Sequence, residues 1–338
     1  MNLVTGATGH IGNVLVRQLL ARGEQVRALV RGGRTTPALA GLDLELVPGD
    51  VLDPDSLARA VQGVKVVYHL AARISLADGP DPETERVNLE GTRNVIAAVR
   101  RQGPDCRLVY ASSVYALRVP RQGLVDETLP FDPKHARGTY DRSKAAASLE
   151  VRKAAAGGLD AVIVCPTAVA GPFDFRTSET GRGILYNMAP GIKFYVDGAY
   201  DFVDVRDVAQ GMVLAAAAGR GGEVYILGGD RLTVREVAET VWRAADGWQL
   251  GLRLPDWVAN LAAEILPLLW DDPLVTPYAL AAVRSNSRIS HDRARRELGY
   301  RPRPASLAIR DAVRWWQTCQ AEPAALPETP EKIIKAAA

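Results

Sequence analysis

Along its first half the chain alternates between two hydropathy textures. Short runs that are almost wholly Val, Leu, Ile and Ala are each followed by a longer stretch in which apolar positions return every three or four residues. The first texture suits strands buried on both faces, and the second suits amphipathic helices. Strands are therefore predicted at Leu3–Thr5, Gln25–Val30, Val64–Leu70, Arg107–Ser112 and Ala161–Pro166. Helices are predicted at Ile11–Arg22, Ser56–Val61, about Glu83 to Arg101, and Tyr140–Gly157. A further strand-like run, LELVPGDV, precedes Asp50 and Val51. Regular strand–helix alternation predicts an α/β fold with a doubly wound parallel sheet.

Beyond Gly171 the texture changes. Pro172 to Tyr200 interleaves Gly, Pro and aromatics and reads as loop. Asp201–Val208 (DFVDVRDV) reads as a return to the sheet, with another short strand at Glu223–Leu227. Helices are expected at Thr233–Ala245, Trp257–Leu266, Asp292–Leu298 and Ser306–Thr318. The expected organisation is a first domain over 1–171, rejoined by 201–228. A smaller, mainly helical C-terminal substrate lobe takes 172–200 and 229–320. The Pro/Ala/Glu-rich tail 321–338 is expected to be disordered.

Composition narrows the class. Lys+Arg 41 against Asp+Glu 39 in 338 residues leaves a net charge of +2, so nothing points to nucleic acid or an anionic membrane as a partner. Cys106, Cys165 and Cys319 are far apart and form no metal-ligand spacing, so no metal is expected and a reduced, cytoplasmic protein is. The first strand starts at once, which leaves no room for a signal peptide. The apolar stretch Trp257 to Trp270 contains Glu264 and Pro267 and is too short to span a bilayer; it reads as a buried or pocket-covering helix.

The first strand runs directly into TGATGHIG, where Gly6, Gly9 and Gly12 are spaced GxxGxxG. Glycines at a strand–helix turn let the backbone approach a pyrophosphate, and the next helix offers its N-terminal amides to that anion. Thr8, His10 and Ile11 share the turn and are expected with it at the cofactor. A carboxylate at the end of the second strand would hold a ribose 2′-hydroxyl. This chain has Arg31 there, with Arg34 close behind. A guanidinium suits a 2′-phosphate, so NADP(H) is favoured over NAD; two solvated loop arginines are the alternative. Asp50 and Val51 are expected to face the adenine. Tyr140 and Lys144 stand at i and i+4, on one face of a helix. A phenol beside an ammonium suits proton transfer, because the cation favours the phenolate.

TGATGHIG, GDVLD (49–53), HLAA (69–72), VNLEGTRN (87–94), YASS (110–113), YDRSK (140–144) and CPTAVAGPFD (165–174) follow one another in order. The set resembles the extended short-chain dehydrogenase/reductase superfamily over about residues 1–210. A weaker likeness continues through ISHDRARRELGYRP (289–302). CPTAVAGPF and the LVR after the second strand are similar to its dihydroflavonol-reductase-like branch. The resemblance implies a Rossmann sheet, Tyr140 as acid/base, Lys144 as its partner, and Ser113, not Ser112, holding the substrate oxygen. It also implies Asn88 as an organiser of the site, Leu70, Ala71 and Ala72 along the nicotinamide ribose, and Pro166 and Thr167 near the carboxamide.

The branch follows from departures within that resemblance. Dehydratases carry an acid pair after the active hydroxyl; here Val114 and Tyr115 follow Ser113. Sugar-nucleotide enzymes commonly place an arginine where this chain has Tyr200, and enzymes that recycle their hydride tend to hold NAD. The expectation is an NADPH-dependent reductase of an apolar ketone or aldehyde. A sugar-nucleotide epimerase or dehydratase is the alternative, and a non-catalytic NADP-sensing protein a second. Ile74, Ser75, Leu76, Tyr115, Phe173, Phe175, Arg176, Leu185, Met188 and Phe202 are expected to line the substrate pocket. The resemblance further implies a homodimer built on Glu83–Arg101 and Tyr140–Gly157, with Ala145, Ala146 and Ala147 on the outer face.

Overall fold

The computed structural model describes residues 1–33, 36–74, 79–120, 122–136, 138–269 and 275–321. Its centre is a seven-stranded, all-parallel sheet built from β1 (Asn2–Thr5), β2 (Val26–Val30), β3 (Glu45–Pro48), β4 (Val66–His69), β5 (Arg107–Ala111), β7 (Ala161–Pro166) and β11 (Val224–Leu227). A short strand, β6 (Gln122–Val125), lies outside it. The order across the sheet is β3-β2-β1-β4-β5-β7-β11, so the direction of winding reverses between β1 and β4. In doubly wound folds that reversal opens a crevice at the C-terminal ends of the strands, where ligands bind.

Helices cover both faces. On one, Val14, Leu15 and Leu19 of α1 (His10–Ala21) pack with Val208 and Met212 of α7 (Val205–Ala218). On the other, Leu57 of α2 (Pro54–Ala60), Val95 and Val99 of α4 (Gly91–Gln102), and Ala145 and Val151 of α5 (Thr139–Ala156) share one core. Double coverage explains why every residue of β1 and β7 is buried, and hence their continuous apolar sequences.

The segment predicted as one helix from Glu83 to Arg101 is α3 (Pro82–Glu85), a wide π turn over Arg86–Glu90, and α4. The extra residue per turn carries Asn88 into the interior, and π turns of this kind are frequent at functional sites. DFVDVRDV splits in two. Ala199–Asp204 is strand β10, and it pairs with β8 (Ala168–Ala170) and β12 (Asp230–Thr233) in a separate three-stranded sheet, not with the main one. Asp204 then caps α7 by accepting from the Arg206 amide at 2.8 Å, which converts the second half to helix.

The region read as loop, 172–200, contains α6 (Glu179–Met188), capped by Ser178, and strand β9 (Gly191–Tyr195), which pairs with β13 (Gln249–Arg253). The lobe's core joins Ile184, Leu185 and Met188 of α6 to Val241 of α8 (Val234–Ala244) and to Ile309, Val313 and Trp316 of α11 (Ala305–Ala321). The buried alternative for the apolar stretch near Trp257 is overturned. Helix α9 (Asp256–Leu269) buries only its small residues Ala259 and Ala263, while Trp257 (71% exposed) and Leu268 (83%) face outward. Among the described residues no helix is long and apolar enough to cross a membrane.

Candidate active site

The glycine turn sits at the C-terminal end of β1. Gly6 has φ +71°, and a Cβ there would lie 2.6 Å from the Ala71 amide nitrogen. A Cβ on Gly12 would drive into the Gly6 carbonyl. Both positions are therefore closed to any side chain, and the backbone is laid open on the cleft side. Gly9 is the N-cap of α1 and brings no side chain to its first amides, so the helix end presents unpaired N–H donors. A cradle that side chains would fill, facing free amides and a helix dipole, fits a dinucleotide pyrophosphate.

Other residues assigned to the cofactor are distributed unevenly. Arg31 is exposed at the end of β2 in a turn with Gly32 and Gly33 at positive φ; Arg34 lies outside the described residues. One Asp50 carboxylate oxygen accepts from the Leu52 amide at 2.9 Å, and Val51 is a core residue against Gly91. His10 Nε2 is 3.0 Å from the Pro172 carbonyl. Thr8 Oγ1 accepts from Arg176 Nη2 at 2.7 Å, which removes Arg176 from the expected substrate pocket to the cofactor end. Ile11 packs against the α1/α7 core. Pro166 and Thr167 are buried where β7 ends.

A directed hydrogen-bond chain links the glycine turn to α5. The Ala71 amide donates to Thr5 Oγ1 (3.2 Å), which lies 2.7 Å from His69 Nδ1. His69 Nε2 lies 3.1 Å from Thr92 Oγ1, and Thr92 gives its own proton to the Asn88 carbonyl (2.6 Å). With that proton spent, Thr92 accepts from His69 Nε2–H, so Nδ1 accepts from Thr5. The ring is neutral, its pKa pushed down to about 3 by burial and then by Lys144. Asn88 accepts from the Arg73 amide (2.8 Å) and donates to the Arg73 carbonyl (3.0 Å) and to Ser143 Oγ (2.9 Å). Ser143 in turn donates to the Tyr140 carbonyl at 2.7 Å. Thr5, His69, Thr92 and Ser143 were missed by the sequence reading, although His69 stood inside the HLAA motif.

Tyr140 and Ser113 are brought together from two elements. Ser113 follows β5, accepts from the Tyr115 amide at 3.2 Å, and hydrogen-bonds the Tyr140 side chain. Ser112 is engaged elsewhere, 2.6 Å from Ser148 Oγ in the α5 interface. Lys144, 3% exposed, donates from Nζ to the Ala111 carbonyl at 2.5 Å and stands 4.6 Å from the Tyr110 ring centroid. Burial brings its pKa down to about 7. The phenol of Tyr140 does not follow the expected direction. Burial, then Asp141, push its pKa well up, and the Ser113 hydrogen bond only partly offsets them. Tyr140 is thus held as a neutral acid.

Asp141 and Arg142, which flank the Tyr140–Lys144 face, are both engaged. Asp141 is buried and accepts from Tyr278 Oη at 2.8 Å, a contact that ties α10 (Pro277–Val283) to the first turn of α5. Arg142 Nε donates to Glu85 at 2.8 Å. The expected pocket lining also divides. Leu185 and Met188 belong to the lobe core, Phe175 packs edge-on against Trp315 at 5.2 Å, and the Phe173 ring lies tilted 6.5 Å from the same ring. Phe202 is buried against Tyr200, whose hydroxyl donates to the Ala279 carbonyl. Helical and aromatic spacing alone could not separate core from lining. Tyr115 remains half-buried in a small cleft with Leu117, Val119 and Asp141, Ile74 is exposed, and Ser75 and Leu76 lie outside the described residues. On α5, Ala145 and Ala147 are buried inward and only Ala146 is partly open.

Residues 2–228 match the NAD dependent epimerase/dehydratase family. The chain is 37% identical over 326 residues to sterol demethylase protein B of Methylococcus capsulatus, covering 93% of this chain and 98% of that one. It is 32% identical over 325 residues to the 4-hydroxy-2-methyl-3-oxo-4-farnesyl-3,4-dihydroquinoline-1-oxide ketoreductase of Stigmatella aurantiaca, covering 92% and 95%. The crystal structure of gox2253 superimposes with a TM-score of 0.78 at 36% identity, covering 94% of this chain and 98% of that one.

Proposed function

The chain belongs to the NAD-dependent epimerase/dehydratase family, and we propose that within it the protein is an NADPH-dependent reductase of an apolar ketone or aldehyde. The observation that carries this is a convergence of side chains: Ser113 after β5 beside Tyr140 and Lys144 of α5, with Lys144 Nζ anchored on the Ala111 carbonyl. When bound, NADPH supplies the hydride. Tyr140 Oη gives its proton to the substrate's carbonyl oxygen, which Ser113 Oγ holds in place. Tyr140 regains its proton from solvent once the alcohol leaves, and buried Lys144, held on the Ala111 carbonyl, places its amino group behind the site. Asn88 and His69 are positioning residues, holding the end of β4 against α5.

NADPH in preference to NADH is supported by Arg31, exposed at the end of β2 where a carboxylate would serve the unphosphorylated ribose. The apolar substrate is supported by the names of the relatives, one a sterol demethylation protein and one a ketoreductase of a farnesylated ring. Epimerisation of a nucleotide sugar is the second reading, and the family's name favours it. Tyr200 argues against it, because a buried pyrophosphate would meet a phenol committed to Ala279 instead of a cation.

The test is to offer steroid ketones, aromatic aldehydes and UDP- and GDP-sugars to the purified chain and follow NADPH absorbance. Stoichiometric NADPH loss with the carbonyls is expected. Sugar epimerisation without cofactor loss would replace the reading with the second one. We also propose a homodimer across the outer faces of α4 and α5. Leu149 is exposed there, beside a groove of about 410 Å³ lined by Arg93, Ile96, Arg100, Glu150 and Lys153. A monomeric mass by light scattering at micromolar concentration would reject it.

A further inference from the structure

After β8 the chain folds back over the glycine turn as a strap, residues 172–178. His10 Nε2 is 3.0 Å from the Pro172 carbonyl, and the Asn13 amide donates to the Phe173 carbonyl at 3.0 Å. Phe173 and Thr177 have φ of +69° and +52°, although neither is glycine. Such backbone persists only where its surroundings impose it. The Phe173 ring lies 4.8 Å from the Arg17 guanidinium, and buried Asp174 accepts from both the Ser178 amide (2.8 Å) and its hydroxyl (2.7 Å). The strap is therefore fixed, and Arg176 stands between its two strained residues.

Arg176 Nη2 donates to Thr8 Oγ1 at 2.7 Å, which lays the guanidinium across the lip of the glycine turn. Arg31 is exposed at the end of β2, and its charge, after burial, lowers the pKa of Arg176. Among the described residues neither guanidinium has a carboxylate partner. Two cations that act on one another, with no carboxylate partner among the described residues, form a site for a compact dianion. The pyrophosphate has the α1 amides for its charge; the side of the turn that Arg31 shares is where the adenosine ribose would lie.

We infer that Arg176 is a cofactor-specificity residue: with Arg31 it brackets the ribose 2′-phosphate of NADPH, Arg31 from the sheet and Arg176 from the strap. This rests on the NADPH reading above. The bracket uses a residue about 145 positions from Arg31 in sequence, so the phosphate couples the strap to the sheet edge.

The experiment measures Kd for NADPH and for NADH by calorimetry on the full chain, with Arg176→Ala, Arg176→Gln and Arg31→Ala beside the parent. Arg176→Gln keeps a polar N–H donor at the position and removes the charge. Each variant is expected to weaken NADPH by about tenfold and NADH by less than about twofold, the loss of one charge-assisted contact. The salt dependence of NADPH binding should flatten in parallel. If the parent binds both cofactors equally, the NADPH reading falls and this inference with it. If the parent prefers NADPH but Arg176→Gln binds it normally, or Arg176→Ala weakens both cofactors alike, the inference alone is overturned.

Discussion

Asn88→Ala is the sharpest test of how the cleft is held together. The side chain is 1% exposed and makes three hydrogen bonds, to the Arg73 amide, the Arg73 carbonyl and Ser143 Oγ. Each contributes about 1 kcal/mol net, so truncation removes roughly 3 kcal/mol before relaxation. Arg73 is exposed, so water can re-pair its backbone groups and the loss falls to about 2–3 kcal/mol. Ser143 keeps its bond to the Tyr140 carbonyl and adds no further penalty. For a chain of 338 residues each kcal/mol lowers Tm by about 1.4 °C, so a drop of roughly 3–4 °C is expected. Because Asn88 joins the end of β4 to the turn that carries Tyr140, kcat should fall by more than KM rises. Asn94→Ala is the control. Asn94 lies on α4 and makes a single bond, to the Val51 carbonyl at 3.0 Å, so it should cost about 1 kcal/mol and leave kcat alone. Urea midpoints and steady-state rates of the two variants decide the matter. A stability loss for Asn88→Ala no larger than that of Asn94→Ala, or an unchanged kcat, would refute the bridging role.

Tyr140→Phe should retain NADPH affinity while turnover drops about 10²–10⁴-fold, the usual contribution of a general acid; near-normal turnover would remove Tyr140 from the chemistry. Gly12→Ala puts a methyl group into the Gly6 carbonyl, so cofactor fluorescence should show no binding at NADPH concentrations that saturate the parent. Lys144→Met tests the buried ammonium in the cofactor-free chain. The folded pKa of about 7 lies below the usual 10.5, so the cost of burying the charge is full below pH 7 and fades as pH climbs toward 10.5. The substitution should therefore raise Tm more at pH 6 than at pH 10, and equal shifts at the two pH values would contradict the assignment.

Sequence spacing exposed what depends on local geometry. Three glycines between a strand and a helix can do little other than bring backbone close to something, and the structure shows each neighbouring atom that forbids a side chain at Gly6 and Gly12. Tyr140 and Lys144 share a helix face by simple periodicity. What stayed hidden depends on chain segments far apart in sequence. Arg176 reaches Thr8 across 168 positions, and Tyr278 reaches Asp141 across 137. Leu185 and Met188 have the same apolar character whether they line a pocket or, as here, fill a lobe. β10 alternates as a strand should, but alternation does not say which sheet it joins. The direction of the Tyr140 shift also escaped, because it depends first on how deeply the fold buries the phenol and then on Asp141, which a tyrosine distant in sequence caps.

The central claim is net hydride transfer to a carbonyl carbon at a Ser113–Tyr140–Lys144 site. The most direct measurement uses NADPH deuterated at the transferred position of the nicotinamide, with a steroid ketone or aromatic aldehyde that the chain turns over. Mass spectrometry of the alcohol should find one deuterium per molecule, on the carbinol carbon, with one NADPH consumed per product and product formation by Tyr140→Phe slowed about 10²–10⁴-fold. An epimerised sugar nucleotide with no net loss of cofactor, or an alcohol free of deuterium, would contradict the account.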